Sequence, residues 1–133
     1  MILYDCVVFY HASPVKNLKE ITPTKPVRNN HIGKVSGLYA CLATSPAQAF
    51  YWANVLGRGK GTWYIYEVKL PHDMTVENCI GGYHFEGVGE LMPAVEVFDH
   101  TTFDGEICVF DPVPVSGVYT VVEFKKNLNK GDF

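Results

Sequence analysis

Ser45-Pro46-Ala47-Gln48-Ala49-Phe50-Tyr51-Trp52-Ala53-Asn54-Val55-Leu56-Gly57, followed after a short turn by Trp63-Tyr64-Ile65-Tyr66-Glu67-Val68-Lys69-Leu70, sets the architecture of this chain. Ser45 occupies an N-cap position, Pro46 the first helical position and Gln48 the capping-box position. A helix is expected through Ala49, Phe50, Trp52, Ala53 and Leu56, ending at Gly57. Gly57-Arg58-Gly59-Lys60-Gly61 reads as a flexible turn. It lacks the full phosphate-loop pattern, with no hydroxyl residue directly after its lysine. The second segment is dense in aromatic and β-branched side chains and reads as a strong strand, closed by Pro71.

Outward from this pair, most apolar runs are short and strand-like. Leu3 to Tyr10 reads as a first strand that stops at His11-Ala12-Ser13-Pro14. Residues 14–36 carry Pro14, Pro23, Pro26, Asn29-Asn30 and Gly33, and read as a long surface loop with room for one turn of helix. Gly37 to Ala43 is a second strand. Residues 72–93 are mixed and broken by glycines. Val95–Phe98 and Phe103–Phe110 are strand candidates, and Val115–Phe124 is the last strand. The polar tail, residues 125–133, is expected to fray. One helix among five or six short strands gives a single α+β domain over residues 1–124, mainly antiparallel sheet.

Composition bounds the function. The chain has 133 residues, 47% hydrophobic and 19% charged, with a formal charge of −3 and a pI near 5.9. Such a length suits one domain that folds on its own core. The strongly basic footprint of sequence-independent nucleic-acid binding is missing. No apolar run reaches the ~20 residues that span a bilayer, so no membrane association is expected. The N-terminal stretch has no basic region and is too short and β-like for a signal peptide. Cys6, Cys41, Cys79 and Cys108 are widely spaced. Three of them (Cys6, Cys41 and Cys108) fall in strand-like apolar surroundings, which reads as reduced core cysteines in a cytoplasmic protein.

The five histidines form no metal-binding spacing, and no Gly-x-Ser-x-Gly elbow is present. His11 stands out because it ends an apolar strand beside a small residue and a hydroxyl, Ala12 and Ser13. A ligand can approach the backbone there, with two side chains able to hydrogen-bond it. Tyr39 leads directly into the capped helix and offers an aromatic face with a polar tip. Glu106 opens the apolar run Ile107-Cys108-Val109-Phe110, where a carboxylate is costly unless paired or solvent-facing. Each also has a plainer reading, as a strand-ending histidine, a core tyrosine and an edge-strand acid.

Taken in order, Tyr10-His11-Ala12-Ser13, Gly37-Leu38-Tyr39-Ala40, the 44–53 helix segment, Trp63 to Val68 and Gly105-Glu106-Ile107-Cys108-Val109 form a pattern. It resembles the small His-Tyr-Glu branch of the ADP-ribosyltransferase superfamily, and is similar in layout to rifampicin ADP-ribosyltransferases. The resemblance implies a split, mainly antiparallel sheet or sandwich with one or two short helices, and NAD as co-substrate. It implies that His11 holds the nicotinamide-side ribose, Tyr39 stacks on nicotinamide and Glu106 is the third-position acid. Glu90 and Glu96 are the alternatives for that last role. Ala12, Ser13 and Tyr51 complete the implied NAD-binding set.

Two departures from the family pattern matter. Glycine usually follows the histidine, where Ala12 stands here. Asp104 stands where arginine-modifying members usually carry glutamate, so the acceptor of ADP-ribose stays open among protein, nucleic acid and small molecule. Arg28 and Lys34 are candidates to meet the NAD pyrophosphate. An RNA 2′-phosphotransferase, from the same superfamily, is disfavoured by the acidic pI. The remaining alternatives are an NAD glycohydrolase and a non-catalytic binding module of the same fold.

Overall fold

The computed structural model describes residues 6–26, 38–78, 90–99 and 105–124. Ten strands are present among them: β1 Cys6–Ser13, β2 Glu20–Ile21, β3 Lys25–Pro26, β4 Leu38–Ala43, β5 Gly61–Pro71, β6 Thr75–Asn78, β7 Glu90–Pro93, β8 Glu106–Val109, β9 Val113–Pro114 and β10 Gly117–Phe124. One α-helix, α1, spans Pro46–Gly57, and a 3-10 helix spans Ala94–Asp99. The main sheet runs β10-β5-β1-β4-β8-β6-β7, with β3 beside β4, while β2 and β9 form a separate ribbon. Every pairing is antiparallel. The chain is thus a small α+β domain, mostly antiparallel sheet with one helix.

Strand alternation sends side chains to two different cores. Phe9, Ala40, Leu42, Val68, Leu70, Ile107 and Val109 pack on one face together with Ala94 and Val97 of the 3-10 helix. Tyr10, Ala12, Ala43 and Ile65 pack on the other face against Ala49 of α1. Full burial of each large aliphatic side chain contributes roughly 1.5–3 kcal/mol, so the first face carries most of the hydrophobic stabilisation.

The helix starts as its sequence dictates. Ser45 is extended, its hydroxyl accepts from the Gln48 N–H at 3.1 Å, and Pro46 begins the first turn. Its end differs in detail. The left-handed residue is Arg58, at φ 56°, and the Arg58 and Gly59 N–H groups close onto Val55 and Asn54 carbonyls. Gly57 serves close approach instead: a Cβ there would lie 2.5 Å from Nε1 of Trp63. That indole donates to the Lys60 carbonyl at 3.2 Å, so the turn and the ring hold each other.

Several boundaries differ from the sequence reading. The first strand continues through His11, Ala12 and Ser13, because all three stay paired with β5, opposite Tyr66, Ile65 and Tyr64. Segment 14–26 contains two short strands and no helix. Val95–Phe98 is 3-10 helix, not strand. The Ala94 and Val95 N–H groups bond to the Met74 and His72 carbonyls, and Ala94 and Val97, three apart, face the core. The last strand begins at Gly117 and is bulged between Val118 and Thr120. Cys6 is exposed, at the start of β1, and not a core cysteine. Cys79 and the tail lie outside the described residues. Among those residues, no helix is long and apolar enough to cross a membrane.

Candidate active site

Strands β1 and β4 meet at a single register pair, Tyr10 opposite Ala43. Beyond it they part, and a cleft of about 780 Å³ opens between them. That volume lies within the ~300–1,000 Å³ usual for small-molecule sites. One wall is His11, Ala12 and Ser13 of β1, and the other is β4 from Tyr39 to Ala43. Glu106 lines it from β8, and Trp52 and Leu56 from α1.

The His11 imidazole spans the parting. Its Nδ1 lies 3.1 Å from the Cys41 carbonyl oxygen. A carbonyl only accepts, so Nδ1 carries the proton and Nε2 is the ring's acceptor in the neutral form.

Tyr39 and Glu106 share a sheet face for a reason of register. Glu106 is opposite Ala43, and Ala43 lies four residues from Tyr39, so the even spacing keeps both side chains on one side. The positions are ~13 Å apart along β4. Tyr39 is only 5% exposed and packs with Cys41, Cys108 and Phe110 at one end of the cleft. Glu106 is partly buried at the other.

Thr44 fixes the approach to Glu106. Its N–H donates to the Gly105 carbonyl at 3.0 Å, its hydroxyl donates to the same oxygen at 3.3 Å, and its Oγ1 accepts from the Gly105 N–H at 2.9 Å. Three contacts therefore clamp the residue before the carboxylate. Ser13 is buried, and its hydroxyl accepts from the Val15 N–H at 3.0 Å. The Tyr66 hydroxyl donates to the Val15 carbonyl and accepts from the Leu18 N–H at 3.1 Å. These bonds pin the segment after β1, which roofs the cleft through Val15 and Leu18.

The electrostatics are acidic and aromatic. The charged side chains described on the cleft wall are Glu20 and Glu106. The Tyr10 phenol, also on the wall, is held above its ordinary pKa, first by burial and then by the negative charge of Glu67 and by Tyr119. Among the described residues no group of three His, Cys, Asp or Glu could hold a metal ion.

Five of the expected site residues, His11, Ala12, Ser13, Tyr39 and Glu106, line this cleft, but strand alternation puts His11 and Ser13 on the sheet face of Phe9 and Tyr39 and Glu106 on the face of Ala43. Tyr51 does not line the cleft. It is 53% exposed on the outer side of α1, with its ring edge-on to Trp52. Ala49, Trp52 and Ala53 follow the i, i+3, i+4 spacing of the inward face of α1, on which Ala49 and Ala53 are buried, and this leaves Tyr51 outside it. Trp52 takes the place by the cleft, and its Nε1 is buried with no hydrogen-bond partner among the described residues. Glu96, on the 3-10 helix, is exposed and away from the cleft lining. The Glu90 side chain, Arg28, Lys34 and Asp104 lie outside the described residues. Thr44, Tyr66 and Trp52 are the contributors that sequence reasoning missed. Only Trp52 carried a readable signal, its helical spacing from Ala49.

No family model, curated protein or solved structure shows a significant match to this chain. The functional reading therefore rests on the cleft itself and on the sequence pattern that it gathers.

Proposed function

We propose that this chain is an NAD-consuming ADP-ribosyltransferase that cleaves the nicotinamide–ribose bond and passes ADP-ribose to an acceptor. The observation that carries this reading is that His11, Tyr39 and Glu106, from three separate strands, all line one cleft. An aromatic and acidic site suits the pyridinium end of NAD, which is flat and cationic.

The reaction makes three demands. The ring must be held flat, the ribose fixed, and positive charge stabilised as the bond breaks. Tyr39 supplies the aromatic face, His11 the ribose hydrogen bond and Glu106 the charge. The electron pair of the C1′–N bond leaves with nicotinamide and neutralises its ring. Positive charge then spreads over C1′ and the ribose oxygen, where a well-placed carboxylate is worth roughly 3–4 kcal/mol. The acceptor oxygen or nitrogen attacks C1′, and Glu106 takes its proton. With water as acceptor, the same steps give an NAD glycohydrolase. Ser13 and the Ala12 backbone line the nicotinamide side of this arrangement.

Ala12 favours a second reading. Its methyl group crowds the place where the resembled family carries glycine, which suits a module that binds a nucleotide without turnover.

Released nicotinamide decides between them. The wild-type chain incubated with NAD should release it, and Glu106→Gln should lower the rate by roughly 10²-fold or more with the fold intact. A rise in thermal midpoint with NAD but no nicotinamide from either protein would establish the binding module and overturn the enzyme.

A further inference from the structure

Cys41 of β4 and Cys108 of β8 stand directly opposite each other, with their Sγ atoms 3.9 Å apart. The backbone shows which class of cross-strand pair this is. The Tyr39 carbonyl accepts from the Thr24 N–H and the Cys41 carbonyl from His11, so odd residues of β4 bond away from β8. Thr44 bonds toward Gly105, on the β8 side. The two cysteines therefore form a non-hydrogen-bonded pair, the closer kind, with Cα atoms ~4.5 Å apart. That falls inside the ~4.4–6.8 Å range of disulfides, and bond formation needs only ~2 Å of sulfur movement.

Access to the two thiols is unequal. Cys41 is half-buried and lines the cleft. Cys108 has no exposed surface. Of the two residues, only Cys41 borders the cleft, and Cys108 is enclosed beside it.

We propose that Cys41 and Cys108 are a dithiol modification site, in which a hydroperoxide entering the cleft oxidises Cys41 and Cys108 closes an internal disulfide. In the first step the Cys41 sulfur attacks the peroxide, the O–O bond breaks, and water (or the alcohol) leaves with the thiol proton. Cys41 is then a sulfenic acid. In the second step the Cys108 sulfur attacks the Cys41 sulfur, the S–O bond breaks, and hydroxide leaves with the Cys108 proton as water. Each sulfur gives up one electron, and the peroxide takes both. The bond ties β4 to β8 midway between Tyr39 and Glu106, so it falls within the wall of the candidate site. The chemistry stands whether or not that site turns over NAD.

The test uses the full chain with Cys6→Ser and Cys79→Ser, treated with hydrogen peroxide. Its intact mass should fall by about 2 Da, both thiols should become blocked to alkylation, and dithiothreitol should restore them. Before oxidation, iodoacetamide should label Cys41 ahead of Cys108. A further Cys41→Ser or Cys108→Ser change should abolish the mass loss. Proteolysis of the oxidised four-cysteine chain should yield the peptides of Cys41 and Cys108 joined, which makes the result independent of any variant. A mass gain of about 16 or 32 Da without the 2 Da loss would overturn the proposal, as would disulfide-linked dimers as the only cross-linked product.

Discussion

The His11 side chain donates to the Cys41 carbonyl at the point where β1 and β4 separate, so an imidazole takes the place of a strand–strand hydrogen bond. The bond holds the ring at the mouth of the parting and selects its tautomer. In the neutral form the proton should sit on Nδ1, leaving Nε2 as acceptor. Long-range ¹⁵N–¹H correlation spectra of histidine-labelled protein read this directly. An Nε2–H signature for His11 would mean that this bond does not persist in solution.

Thr44 should control Glu106 without touching a ligand. Thr44→Val keeps the shape and the backbone bond to Gly105 but removes both hydroxyl contacts. Stability should drop by about 1–2 kcal/mol in urea denaturation. Nicotinamide release should fall mainly in kcat, with KM little changed, because the carboxylate loses its fixed approach. Thr44→Ser should recover most of both. Equal activity in Thr44→Val and wild type would show that Glu106 is positioned by its strand alone.

Tyr39 is packed as well as placed. Because it contacts Cys108 within a buried cluster, Tyr39→Ala would cost ~3–5 kcal/mol of stability and confuse fold with binding. Tyr39→Leu keeps bulk and removes the aromatic face, and should weaken NAD binding by ~1–2 kcal/mol, whereas Tyr39→Phe should bind nearly as wild type. Calorimetric titration distinguishes them. Equal affinity in all three would make Tyr39 a core residue only.

Tyr10 predicts an alkaline weakness. Its phenol is raised above 10.0 in the folded chain, chiefly by burial, with Glu67 opposite it on β5 adding repulsion. A raised folded-state pKa favours the protonated native form. The associated stability is complete below about pH 10 and is lost as pH climbs through the folded value. Urea midpoints from pH 8 to 11 should therefore fall more steeply for wild type than for Tyr10→Phe. Parallel curves would place the titration elsewhere.

The local elements were legible because their causes are local. Ser45, Pro46 and Gln48 determine where α1 starts, and the aromatic, β-branched run 63–70 determines β5, through capping geometry and side-chain packing on a pleated surface. The residue types and order of His11, Tyr39 and Glu106 were legible too. Their place on one cleft depended on long-range events: β1 and β4 pairing at one position and then parting, and β8 docking on β4 in the register that sets Glu106 opposite Ala43. A one-residue slip in that register would turn Glu106 to the other face of the sheet. Cys41 facing Cys108, Thr44 clamping Gly105 and Val95–Phe98 coiling as 3-10 helix have the same origin. Each depends on partners distant in the chain, which no short stretch of sequence encodes.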